Sequence, residues 1–282
     1  MTTRPGLARR TRATGLAKAV LVRGQVLAGA FRSDHARPGL RILYYHRISL
    51  DRDPLAVTPE AFKRQMEALA ASGQRVVDLY EIDDIALAPG EAAVALTFDD
   101  GYRDVLENGL PVLREHGFPS VTFVVPEAIS GAVGFGWYPE GETPALAGWD
   151  ELRAEEAAGL ARFEPHTLTH PVLPTLSLEA ARAELAGSKA VVERELGREA
   201  RIFCYPGGYY SPREVALVRE CGFRAAVTCE FGANHAPFDH GELRRTIVER
   251  SDAPWLFRAR LSGATDAPPP GRRRRCDDQL AA

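Results

Sequence analysis

Val94-Ala-Leu-Thr-Phe-Asp-Asp-Gly101 ends an apolar run in two adjacent carboxylates and a glycine. His166-Thr-Leu-Thr-His170 later places two imidazoles four residues apart. One carboxylate and two imidazoles around a point make a divalent-metal site with positions left open for water and substrate. Consecutive strand residues face opposite sides, so Asp99 and Asp100 need not share a role. One can hold an ion while the other faces the attacking water. Two close carboxylates without a cation push one pKa up, and an ion on one of them removes that conflict. Read singly, Asp-Asp-Gly is also a turn or a helix cap, and the histidines also an ordinary surface pair. Thr167 stands where the zinc-protease pattern HExxH needs glutamate. Pro171 biases His170 away from helix, so the pair is expected on a single turn after a strand, with positions i and i+4 side by side.

Such groups need a scaffold, and the chain is long enough for one. It has 282 residues, 45% hydrophobic and 26% charged, with a net charge of −3, which does not favour polyanion binding by the whole chain. Cys204, Cys221, Cys229 and Cys276 form no CxxC and no framework spacing, which fits reduced thiols in a cytoplasmic setting. Residues 1–38 form a basic arm with no acid before Asp34, and Lys18 and Arg23 interrupt its apolar pieces. Neither a membrane span nor a secretion signal is expected there. Leu16, Val20, Leu27 and Phe31 share one helical face, suited to packing on the domain or to peripheral contact with an anionic membrane. Residues 264–282, with Pro268 to Pro270 and Arg272 to Arg275, read as a disordered solvated tail and not as a nucleic-acid site.

Between these ends, short apolar runs alternate with amphipathic stretches. Strands are expected near 41–46, 75–79, 92–98, 120–125, 162–164, 202–205, 225–228 and 243–248. Helices are expected after Thr58, after Gly101, and over 149–160, 178–196, 212–221 and 255–261. The alternation predicts parallel strands with crossover helices, as a β/α barrel or a doubly wound sheet. Either fold gathers its site where strands end and loops begin, which is where Asp99 and Asp100 fall.

Thr97-Phe-Asp-Asp-Gly101, His166-Thr-Leu-Thr-His170 and Cys204-Tyr-Pro-Gly-Gly208 together resemble the NodB-homology polysaccharide deacetylase family, carbohydrate esterase family 4, over about residues 40–262. Tyr44-Tyr-His-Arg47 resembles its exopolysaccharide-biosynthesis branch. The resemblance implies an α/β fold, a distorted (β/α)7 barrel, as one domain over 39–263. It implies Asp99 as general base and Asp100, His166 and His170 as ligands of one divalent ion, Zn2+ foremost, with Co2+, Ni2+ or Fe2+ as alternatives. It also implies that Tyr205 and Pro206 line the substrate groove and that the Tyr205 N–H holds the oxyanion.

Two departures stand out. Many members carry arginine two residues before the motif proline, where it orients the base; here that residue is Cys204. The late Leu-x-His that supplies the general acid is replaced by Leu243-Arg-Arg245. His46, at a strand end, becomes the first candidate acid, ahead of His235 and His240. Asp252 and Trp255 are candidates for a late Asp and Trp pair lining the pocket. The implied activity is removal of N-acetyl groups from an amino-sugar glycan or glycan precursor. The alternatives are an O-acetyl esterase and a catalytically silent carbohydrate-binding homologue. A phosphoesterase would gather more ligands for two metals.

Overall fold

The computed structural model describes residues 36–266. The expected amphipathic face and most of the arginine-rich tail fall on residues 1–35 and 267–282 and lie outside the described residues. The described strands are β1 (Gly39–Tyr45), β2 (Arg47–Ile48), β3 (Ala56–Val57), β4 (Arg75–Val76), β5 (Ala92–Phe98), β6 (Ser120–Val124), β7 (Ala161–Pro165), β8 (Ile202–Cys204), β9 (Ala225–Val227) and β10 (Arg245–Ile247). The helices are α1 (Pro59–Ala71), α2 (Leu110–His116), α3 (Pro126–Ile129), α4 (Trp149–Ala157), α5 (Leu178–Leu196), α6 (Pro212–Glu220) and α7 (Pro254–Ser262). Among the described residues no helix is long and apolar enough to cross a membrane.

Every strand ladder described is parallel. The main sheet runs β10-β1-β5-β6-β7, with β4 on β5, and β8 pairs separately with β9. A bridge from Val227 to Leu243 links β9 to the segment entering β10. Seven strands thus follow one another round a distorted α/β barrel whose ladder is open between β7 and β8. Side chains bridge that seam. Glu164 on β7 accepts hydrogen bonds from the backbone N–H groups of Arg201 and Ile202, each 2.6 Å long. Arg198 Nη1 donates to the same carboxylate at 2.5 Å.

Side-chain alternation divides the core in two. Leu40, Ile42, Ala93, Ala95, Val121 and Phe123 fill the barrel interior, with Ile202 and Leu243 from the far side. Leu43, Tyr45, Val94, Leu96 and Phe98 point outward against the helices, meeting Phe62, Met66 and Leu69 of α1. Strands covered on both faces read as continuous apolar runs, which is why β1 and β5 are visible in the sequence. Thr58 caps α1, its Oγ1 accepting from the Ala61 N–H at 3.2 Å, and Pro59 supplies the preset first turn.

Two elements differ from expectation. The helix expected directly after Gly101 begins as a wide turn over Val105–Gly109 and becomes α-helical only at Leu110. The strand expected over 75–79 stops at Val76, because the Asp78 carboxylate caps the Tyr80 N–H at 3.0 Å and starts a 3-10 turn.

Candidate active site

The parallel register sets the site. Tyr45 pairs with Phe98, and the Asp99 N–H donates to the Tyr45 carbonyl, so His46 and Asp99 leave the sheet at the same level. Val124 pairs with Pro165, and the His166 N–H donates to the Val124 carbonyl, placing His166 on the same rim.

Asp100 and Gly101 turn the chain off β5 with φ of 73° and 76°. Non-glycine residues rarely adopt that conformation, and Asp100 holds it here at a functional rim. Its Oδ1 lies 3.7 Å from His166 Nε2 and 3.6 Å from His170 Nε2. Those separations are too long for hydrogen bonds. They suit three donors each about 2.0–2.2 Å from a shared zinc-sized ion. Asp100 Oδ1 is also buried without a hydrogen-bond partner among the described residues. A divalent ion would satisfy it, so the donor set fits the expected metal.

The imidazoles are prepared for that role. His166 Nδ1 meets the Cys204 carbonyl at 2.7 Å, and a carbonyl only accepts, so Nδ1 carries the proton and Nε2 keeps its lone pair. Burial, ahead of smaller effects, lowers His166 to about 3 and His170 to about 4, keeping both neutral at pH 7. Burial and then the neighbouring Asp99 charge push Asp100 well above the usual carboxylate range, a conflict that a bound cation reverses.

The histidine loop is not the helical turn expected. Thr167 and His170 both have φ of 63°, so the imidazoles converge through a strained loop. Glu184 of α5 braces it, accepting from the N–H groups of Leu168 and Thr169 at 2.8 and 3.0 Å and from Thr169 Oγ1 at 2.7 Å. Glu184 was not singled out in the sequence, because its partners lie 15 and 16 residues away.

Asp99 points into the barrel and meets Arg245. Nη1 donates to Oδ1 at 2.7 Å and Nη2 to Oδ2 at 2.8 Å, a bidentate pair. Nε donates to the Thr228 carbonyl at 2.8 Å, and the guanidinium lies 4.2 Å from the Tyr44 ring centre. Cys204 Sγ fills the next space, 3.1 Å from Nη2. Burial works against the Asp99 anion, but the charge and hydrogen bonds of Arg245 outweigh it and hold the carboxyl at about 2. The cation that orients Asp99 therefore comes from β10, where Cys204 on β8 leaves room.

These groups open into a cavity of about 800 Å³, within the range of small-ligand clefts. His46 lines it beside Asp99 and His170, and burial lowers its pKa despite the opposing effect of Asp99. Arg47 secures one wall by pairing with Asp51, Asp53 and Asp104 at 2.6 to 2.8 Å.

Other candidates lie elsewhere. Tyr205 is buried: its N–H donates to the Val227 carbonyl at 3.2 Å, and its hydroxyl donates to the Gly241 carbonyl at 3.0 Å. Its N–H is thus committed to the β8–β9 ladder rather than turned to the cleft. Pro206 is buried in the following turn, and Gly207 is the residue of that turn lining the cavity. Trp255 is 41% exposed on α7 and does not line the cavity. Asp252 pairs with Arg260 at 2.8 Å and caps the Glu249 N–H, a structural assignment. His235 lines a separate cavity at the start of β1, and His240 sits 3.7 Å from Asp83.

Comparison with known proteins agrees with this geometry. The family model for polysaccharide deacetylase matches residues 87–226. YxkH of Bacillus subtilis (strain 168), which carries the same family description, is 28% identical over 197 residues. The match covers 69% of this chain and 66% of that relative, so the chain spans about two thirds of its length. IcaB from Ammonifex degensii superposes with a TM-score of 0.68 at 28% identity, over 82% of this chain and 99% of that one. The Streptococcus pyogenes deacetylase PplD shares the fold, with a TM-score of 0.68 at 20% identity over 80% and 99% of the two chains. The chain belongs to the polysaccharide deacetylase family.

Proposed function

We propose that the chain is a metal-dependent hydrolase that removes N-acetyl groups from an amino-sugar glycan or glycan precursor. The observation that carries this reading is the orphaned Asp100 Oδ1, equidistant from two neutral imidazoles and next to an arginine-paired carboxylate. Asp100, His166 and His170 hold the ion, with Zn2+ the first candidate. When bound, the ion polarises the acyl carbonyl and acidifies a water. Asp99, kept ionised by Arg245, accepts that water's proton as it attacks. The bidentate pairing also fixes its orientation, which general-base transfer requires. His46 lines the same cavity beside Asp99 and delivers a proton to the departing amine nitrogen. Burial disfavours its imidazolium, so the proton it delivers is one taken up during the reaction, passed on from the water proton that Asp99 accepts.

Acetate release from a panel of N- and O-acetylated oligosaccharides tests the reading, with metal content measured in parallel. Asp100→Ala is expected to lose metal and activity together. Asp99→Asn is expected to retain metal and lose turnover, and a fully active Asp99→Asn would remove Asp99 from the mechanism. Release from O-acetylated substrates alone would give the esterase reading. Binding without release by the metal-loaded protein would give the silent homologue.

A further inference from the structure

Trp137 stands at the rim of the active-site cavity with 46% of its surface exposed, although it is among the largest apolar side chains in the protein. It is not loosely held. Phe135 lies parallel beneath it, with ring centres 4.6 Å apart and planes 9° from coincidence, so one indole face is covered. His170, a candidate metal ligand, meets it at 5.0 Å in a T-shaped contact. The adjacent Tyr138 donates its hydroxyl to Asp53 at 2.5 Å, and Arg47 Nη1 donates to the same oxygen at 2.8 Å. That hydrogen-bonded brace joins the loop carrying Trp137 to the wall held by Arg47.

An exposed, rigidly backed indole beside a catalytic centre offers a flat apolar surface at little ordering cost. Pyranose rings expose axial C–H groups on one face, and such a face matches an aromatic plane in size and polarity. We infer that Trp137 is the stacking platform for the sugar that carries the acetamide, and that it sets the preference for a pyranose over an acyl group alone. The inference rests on the proposed deacetylase reading for its substrate. The braced aromatic rim itself does not depend on it.

The test compares N-acetylated chito-oligosaccharide with 4-methylumbelliferyl acetate, an acetyl ester without a sugar. Trp137→Ala is expected to raise KM for the oligosaccharide about tenfold or more, the loss of roughly one aromatic contact with its buried area. KM for the ester and the metal content should stay at wild-type values. Trp137→Phe should recover part of the oligosaccharide affinity. An equal rise for both substrates would show that Trp137 only supports the cavity and would overturn the inference, as would no rise at all. Binding is read separately by tryptophan fluorescence of the EDTA-treated protein titrated with the same oligosaccharide. The wild-type emission should change on binding and that of Trp137→Phe should not, while Trp149 and Trp255 remain as internal emitters. Fluorescence binding without acetate release would refute the deacetylase reading and leave the platform standing. Acetate release with unaltered emission and unaltered Trp137→Ala kinetics would do the reverse.

Discussion

Removing the Arg245 guanidinium is the most informative single change. In Arg245→Ala the Asp99 carboxylate loses two hydrogen bonds of 2.7 and 2.8 Å, in a place where the two side chains are 4% and 0% exposed. Breaking a buried pair on one side leaves an uncompensated charge, at a cost of about 3–5 kcal/mol. At roughly 2–4 °C per kcal/mol for a domain of this size, the melting temperature should fall by about 6–20 °C. Turnover should suffer as well, because a misplaced base alone costs about 100-fold. The sign of the pH effect follows from the causes. The Asp99 pKa, about 2, lies below the usual carboxylate value, so the pair's stabilisation is present above about pH 4 and lost as pH falls through 2. Without Arg245, burial, the largest influence, is opposed only by the smaller effects of His166 and His46, and burial raises a carboxyl pKa. The acidic limb of kcat/KM should therefore move to higher pH.

Cys204 turns this into a test that a merely structural role would fail. Its Sγ lies 3.1 Å from Arg245 Nη2 and 3.9 Å from Asp99 Oδ1, so an arginine at 204 would send its guanidinium into the same space from β8. Cys204→Arg alone places two cations in one buried pocket and should be damaging. Cys204→Arg combined with Arg245→Ala should exceed either single variant in kcat/KM by about tenfold, the rescue expected from restoring one buried charge-assisted bidentate pair. Circular dichroism and melting curves of all four proteins separate misfolding from misorientation. A double variant no better than Arg245→Ala, with both folded, would refute the view that Asp99 is oriented by a cation in this space.

Three further outcomes are expected. Glu184→Ala should free the Leu168 and Thr169 amides and weaken metal affinity about 10- to 100-fold without touching the ion, as measured by competition with a chromogenic chelator. Glu164→Ala should cost about 3–5 kcal/mol in chemical denaturation, because Arg198 and two backbone N–H groups lose a common buried partner at the β7–β8 seam. His46→Ala should keep its metal and lower kcat for N-acetyl substrates by about 100-fold or more. It should act less on a 4-methylumbelliferyl ester, whose leaving group needs no proton, and equal losses on the two would count against His46 as the acid.

How much of this was legible in the sequence depends on how local the determinant is. The β/α alternation and the site's position at strand ends were legible because continuous apolar runs and turn residues act over a few positions. The three metal-ligand candidates were legible as residue types, since an ion demands a donor set that chance seldom supplies in so short a span. The geometry that joins them was not. A helical turn and a strained loop can bring His166 and His170 equally close, and only the Glu184 brace distinguishes the two. Tyr205 shows the limit of position-by-position transfer: a motif fixes order along the chain, but which N–H faces the cleft depends on whether the neighbouring strand has already taken it, as Val227 has.

Arg245 lay between these cases. The alternation that turns Leu243 into the barrel turns Arg245 inward as well, so a charged residue was due inside an apolar interior. A buried guanidinium needs an anion, and the rim offers Asp99 and Asp100 within the same barrel. The departure at Cys204 and the departure at Leu243-Arg-Arg245 therefore meet at one place, beside Asp99. The cation that pairs with Asp99 stands on β10, and the small Cys204 thiol on β8 leaves the space it needs. In the proposed mechanism the proton donor is then His46, which leaves β1 beside Asp99, because the β10 position pairs with Asp99.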